Sequence, residues 1–186
     1  MILSPLKIFP SAGHNNQDSG AVKNGYREAD LTKEARNNIA RRSKAEDLIM
    51  DEDWETNSQY QSRIKPGKGS VLLDIHFNSA ASLASGTECY ITATDFNNKN
   101  ALSYKMADEI CKITAKVLRI PNRGVKPDNL SQHSRIGILH IGAGVSVLWE
   151  ICFISNTKDM NSYQANKEEL MKNVAEILKN YDEMIL

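Results

Sequence analysis

Four side chains in this sequence are of types that do chemistry together: His14, Glu28, His76 and Glu150. Two imidazoles and one carboxylate form the ligand set of a catalytic zinc site, in which three protein donors leave a fourth position for water. A further carboxylate close to such a metal can take a proton from the water and hand it to a departing amine. His14 follows a short apolar segment, His76 stands near the end of the run Val71-Leu72-Leu73-Asp74-Ile75-His76-Phe77, and Glu150 lies within Val145 to Phe153. In open α/β sheets the reacting groups gather outside the carboxyl ends of strands, so these positions suit a shared site. Glu28 follows the turn signal Asn24-Gly25 at the entrance of a helix, where the dipole favours the ionised carboxylate that metal binding needs.

Each residue also has a plainer reading. A histidine in an apolar strand is more often a satisfied core residue than a ligand. Glu150 could be a buried ion-pair partner or a strand-end residue, and Glu28 a first-turn helix charge. No HExxH signature ties the histidines together, so spacing alone leaves the choice open.

The elements that must position these groups alternate between strand and helix. Leu6 to Phe9 reads as a first strand ending in the turn residues Pro10-Ser11-Ala12-Gly13, and Asn15 to Gly25 as a polar loop around a site. A first helix is expected from Ala29 to about Leu48, capped by Asp30 or Thr32, and from Asp51 to Gly69 an exposed connection with at most one short strand or turn of helix. Val71 to Phe77 is a central buried strand and Gly86 to Ala93 another. Leu102, Met106, Ile110 and Val117 mark a helix from Asn98 to Leu118, stopped by Pro121. A third strong strand covers Val145 to Phe153, and Leu170, Val174, Ile177, Leu178 and Tyr181 mark a C-terminal helix. This order predicts an α/β fold with helices on both faces of a mainly parallel or mixed sheet. His140 is expected on a strand near the core and His133 in a polar loop. Asp74, two residues before His76, shares its side of the strand and is either a partner for that imidazole or a salt-bridge residue.

At 186 residues the chain fits one domain, residues 1–186. With 23 basic and 23 acidic side chains, nothing in the charge argues for nucleic acid or an anionic membrane as partner. No apolar stretch reaches the roughly 20 residues of a membrane span, and the N-terminus lacks the pattern of a secretion signal. Three widely spaced cysteines, Cys89, Cys111 and Cys152, form neither a disulfide framework nor a thiolate metal site, and Cys111 and Cys152 read as small core residues. Gly142-Ala143-Gly144 precedes a strand rather than a helix, so it is no dinucleotide loop.

A set of ordered patterns changes the balance. Pro10-Ser11-Ala12-Gly13-His14, Asp18-Ser19-Gly20-Ala21 and Asn24-Gly25-Tyr26-Arg27-Glu28-Ala29-Asp30-Leu31 resemble the opening of the type 3 zinc N-acetylmuramoyl-L-alanine amidases. Ile75-His76-Phe77-Asn78 resembles that family's second histidine motif, and Asn122-Arg123-Gly124-Val125-Lys126 its mid-domain segment. Val147-Leu148-Trp149-Glu150-Ile151-Cys152-Phe153-Ile154-Ser155-Asn156, with Asp159, resembles its catalytic-glutamate strand.

The resemblance spans nearly the whole chain. It implies a six-stranded α/β fold, one Zn2+ held by His14, Glu28 and His76, and Glu150 as the acid/base. It implies cleavage of the amide between the lactyl group of N-acetylmuramic acid and the L-alanine of the peptidoglycan stem peptide, with water activated at the metal attacking the carbonyl. Asn78 and Arg123, within the motifs, become candidates for substrate contact, and Arg123 reads equally well as one half of a surface ion pair. Departures from the pattern are Asn15-Asn16-Gln17 in place of a glycine-rich run, Cys152 where glycine is usual, and a helix before the second histidine shortened or broken by Pro66-Gly67. A zinc peptidase cutting inside the stem peptide would use the same metal chemistry, and an inactive wall-binding relative would keep only the fold. There is no room for the autoinhibitory insertion of some cell-division relatives, so no obligate protein activator is expected. The expected setting is the cell wall, reached from the host cytoplasm as a phage lysin or as a trimmed secreted enzyme.

Overall fold

The structure, a computed structural model, describes residues 7–43, 47–80, 83–132 and 134–185. In chain order the first elements are β1 (Lys7–Ala12), a small antiparallel ribbon of β2 (Val22–Lys23) and β3 (Tyr26–Arg27), α1 (Glu28–Ser43), β4 (Asp47–Leu48), α2 (Asn57–Arg63) and β5 (Val71–Asn78). They are followed by β6 (Thr87–Ile91), α3 (Ala93–Phe96), α4 (Leu102–Leu118), β7 (Asn122–Pro127), two 3-10 turns (Asp128–Leu130 and Gly137–His140), β8 (Val145–Phe153) and α5 (Thr157–Ile185). Six strands form one mixed sheet in the order β4-β1-β5-β8-β6-β7. The first four run parallel to one another, β6 is antiparallel to β8, and β7 is parallel to β6.

Period-2 alternation sorts the strand residues between two faces. Val71, Leu73, Ile75 and Phe77 of β5, with Val145, Val147, Trp149 and Ile151 of β8, enter the larger core beneath α1, α4 and α5. On the opposite face Phe9, Leu72 and Leu148 pack with Tyr60 of α2, Ile64, Ile138 and Leu139 in a smaller core. This second core covers only part of its face. Beyond it, Ser11, Asp74, His76, Glu88 and Glu150 emerge from the sheet, and the two central strands deliver their polar residues to one place.

Several expectations need correction. Helix α1 begins at Glu28 and ends at Ser43, and Asp47–Leu48 is instead an edge strand pairing with Lys7 and Ile8. The connection from Asp51 to Gly69 holds α2, started by a capping box between Thr56 and Gln59, and it buries Tyr60 and Ile64 because the second core needs a lid. Strand β7 was not foreseen, since its exposed polar edge lacks an apolar pattern. His140 lies on a 3-10 turn rather than a strand, and its Nε2 meets Asp128 Oδ2 at 2.7 Å. Leu6 and His133 fall outside the described residues. Cys89, Cys111 and Cys152 are all buried and free.

Candidate active site

His14 leaves the end of β1 on a turn pinned by Gly13 N–H donating to the Ile75 carbonyl at 2.8 Å. Glycine at 13 is required by contact: a Cβ there would lie 2.1 Å from the His76 ring. Glu28 opens α1, and its carboxylate is aimed by two backbone donors, Phe77 N–H to Oε1 at 3.0 Å and Ala21 N–H to Oε2 at 2.9 Å. The loop between them turns at Gly20 with φ +59, where a Cβ would press on both His14 and Glu28. His76 enters from β5 on the open face of the sheet.

The three side chains converge. Glu28 Oε1 is 3.1 Å from His14 Nε2 and 3.3 Å from His76 Nδ1, and one ligand atom from each residue lies within 4.8 Å of the others. The outward nitrogens are occupied: His14 Nδ1 meets Asp18 Oδ2 at 2.9 Å, and His76 Nε2 meets Asp74 Oδ2 at 3.1 Å. Asp74 is fixed in turn by the Ser11 hydroxyl, which donates to Oδ1 at 2.6 Å. Carboxylates that hold the outer N–H orient the ring and leave the inner nitrogen's lone pair for a metal. The donor set, its convergence and these outer partners suit a divalent ion that accepts nitrogen and oxygen ligands.

Burial and neighbouring charge act in opposite directions on these three groups. Burial alone would raise the Glu28 carboxyl, but hydrogen bonds from His14 and His76 hold it far below the ordinary carboxylate range. Burial alone would lower the His76 imidazole, yet Asp74 and Glu28 hold it well above its usual value. For His14, burial again lowers, while Glu28 raises and prevails.

Glu150 is the register partner of His76 on β8. Its Oε2 is buried with no hydrogen-bond partner among the described residues. Burial first, helped by the negative charges of Glu28, Glu88 and Asp74 and opposed by His76, pushes its carboxyl up to about 7. A carboxyl so tuned can exchange protons near neutrality, as general acid–base work requires.

Asn78 lines the cleft and donates from Nδ2 to Glu88 Oε1 at 2.9 Å. Arg123 stands behind the lining, with Nε donating to Glu88 Oε2 at 2.5 Å and its guanidinium over the Phe153 ring. Glu88 is buried and paired in register with Glu150, and it also receives Lys126 Nζ at 2.5 Å and the Tyr90 hydroxyl at 3.2 Å. Sequence reasoning missed this hub, although Glu88 and Tyr90 alternate with Cys89 and Ile91 in a way that places two polar groups on one strand face. Asp18 stands out in the sequence only as part of the Asp18-Ser19-Gly20-Ala21 pattern. The cleft holds about 570 Å³, walled by Asn57 and Gln61 of α2 and by Ser131, Gln132, Arg135, Ile136 and Ile138.

Known proteins resemble this chain over most of its length. The family model described as N-acetylmuramoyl-L-alanine amidase matches residues 8–180. The uncharacterized Bacillus subtilis protein YqiI is 28% identical over 178 residues, covering 93% of this chain and 81% of its own. The N-acetylmuramoyl-L-alanine amidase LytC of the same organism is 27% identical over 158 residues, 82% of this chain but 30% of LytC. A crystal structure from Neisseria meningitidis, described as a candidate N-acetylmuramoyl-L-alanine amidase, superposes with a TM-score of 0.73 at 29% identity, covering 94% of each chain.

Proposed function

The chain belongs to the N-acetylmuramoyl-L-alanine amidase family, and from that premise we propose that it cleaves the lactyl–L-alanine amide of peptidoglycan with one zinc ion held by His14, Glu28 and His76 and with Glu150 as proton carrier. The observation that carries this reading is the convergence of the three donors beside Glu150, which is in register with one of them. Lewis-acid polarisation of the scissile carbonyl and acidification of a water are the chemistry that zinc supplies when bound there.

The chain's own residues do the rest. Asp18 and Asp74 hold the two imidazoles in the tautomers that point their free nitrogens inward. Glu28, clamped by two backbone amides, offers an ionised oxygen without a change of conformation. Glu150 in its charged form accepts the proton of the attacking water, and in its neutral form returns it to the departing alanine nitrogen. The buried, unsolvated Oε2 keeps both forms accessible near neutral pH. Asn78 contacts substrate from the cleft wall, and Arg123 acts on it through Glu88. The whole chain works as one catalytic unit and needs no protein activator.

Replacing Glu150 with Ala tests the assignment. Zinc content should persist while release of the L-alanine amine from purified peptidoglycan disappears. A variant that keeps the wild-type rate refutes the role of Glu150, and a mass spectrum showing cleavage inside the stem peptide refutes the bond.

A further inference from the structure

Arg135 is the only lysine or arginine among the described residues lining the cleft. It makes no hydrogen bond or ion pair with any described residue. By contrast Arg36, Arg63 and Arg123 each close on a carboxylate at 2.5 to 2.7 Å. The ionisable lining around it is otherwise Asp18, Glu28, Asp74 and Glu150 with the two histidines and the Tyr90 phenol. The cleft therefore has one position that attracts an anion away from the candidate metal centre, and several that repel one.

The segment carrying Arg135 is tied down. Asp128, buried at the start of the first 3-10 turn, accepts from Ala93 N–H at 3.0 Å and from Ile136 N–H at 3.4 Å, and it pairs with His140 at 2.7 Å. Ile138 belongs to the smaller core and Ile136 packs against it. Ser134 takes a left-handed φ of 57 immediately before Arg135, and its N–H donates to the Ser131 carbonyl at 3.2 Å. An unpaired guanidinium is thus carried on an anchored wall of the cleft. Its planar fork matches a carboxylate with two parallel hydrogen bonds.

We infer that Arg135 recognises a free carboxylate of the stem peptide, the first one beyond the L-alanine, and so makes the enzyme select stems in which that group is not amidated. This rests on the amidase reading above, because that reading places a peptide in the cleft. The glycan offers hydroxyl and amide groups, for which an isolated cation has no preference, whereas the peptide carries the anions.

The test compares two muramoyl peptides that differ only in whether the residue after L-alanine is D-isoglutamate or D-isoglutamine. Wild-type enzyme should show a kcat/KM roughly tenfold higher on the free acid, the size a partly screened charge-assisted pair supplies. Arg135→Ala should lose that preference through KM while keeping the wild-type rate on the amidated peptide, and Arg135→Lys should restore part of it. Equilibrium binding of both peptides to the Glu150→Gln variant, with and without Arg135→Ala, should show the same pattern without turnover. Equal binding of the two peptides, or a preference that survives Arg135→Ala, overturns the inference and leaves the amidase reading intact. Arg135-dependent binding without release of the L-alanine amine by the wild type supports the inference and removes the amidase reading.

Discussion

His76 and Glu150 are Cα partners in register across the parallel strands β5 and β8, so a candidate ligand and the candidate acid/base leave the same face of the sheet side by side. Neighbouring central strands are the most constrained part of this fold, buried beneath three long helices. Their pairing holds the spacing of the two groups without help from a loop.

That placement has a stability consequence. The folded chain raises the Glu150 carboxyl to about 7, mainly by burial, while the unfolded chain leaves it in the ordinary glutamate range. For a raised acid, the folded state's relative advantage is complete below the unfolded pKa and is lost as pH rises through about 7. In metal-free protein, Glu150→Gln should therefore melt at a higher temperature than wild type at pH 8, with the gap closing toward pH 4. Thermal melts across that range measure it, and identical curves at every pH would remove the burial argument.

Metal uptake should release protons. His14 and His76 are both held above the usual imidazole range by Glu28 and their other partners, so protons compete for the same nitrogens to higher pH than in a free histidine. Zinc affinity should fall as pH drops from 8 to 6. Calorimetry in buffers of different ionisation enthalpy should report net proton release, and a pH-independent affinity would argue against imidazole ligands.

Gly13→Ala is expected to act through geometry alone. The new methyl would collide with the His76 ring at 2.1 Å, and nothing behind the ring can give freely because Asp74 holds it. Zinc content measured by mass spectrometry should fall by an order of magnitude or more, with the fold retained by circular dichroism. Full zinc content would show that His76 sits elsewhere.

Arg36 is buried on α1 and grips Asp51 at 2.6 Å and Asp53 at 2.7 Å, and Asp51 in turn accepts the Ala12 N–H at 2.9 Å just before His14. Burial already holds the Asp51 carboxyl at about 6 despite the guanidinium. Arg36→Ala strands that carboxylate, and breaking a buried pair costs roughly 3–5 kcal/mol. Denaturant unfolding at pH 7.5 should show a loss of that order, reduced at pH 5, where Asp51 is neutral in the fold.

The parts of this fold legible in the sequence are those whose environment imposes a strong pattern. β5 and β8 are largely apolar because one face is fully covered and the other in part, and of the stripe expected on α4 Met106 and Ile110 are buried, Leu102 and Val117 only partly so, with Leu118 buried beside them. β4 was absorbed into the preceding helix because two residues, Asp47 and Leu48, carry no alternation, and β7 was hidden because an edge strand need not be apolar. α2 was legible in one respect that went unused, the Thr56 to Gln59 capping box. The four chemical residues could be named from their motifs, but not the partners that tune them. Asp74 was only half foreseen, and Glu88 looked like an ordinary strand charge until β6 was seen to lie against β8, which sets it opposite Glu150.

If the proposed function holds, one zinc ion sits among His14, Glu28 and His76. Anomalous diffraction at the zinc edge from crystals of the zinc-loaded protein tests it directly. A single strong peak is expected at about 2.0–2.2 Å from His14 Nε2, His76 Nδ1 and a Glu28 carboxylate oxygen. A peak at another cluster, or none at this one in protein that turns over peptidoglycan, would contradict it.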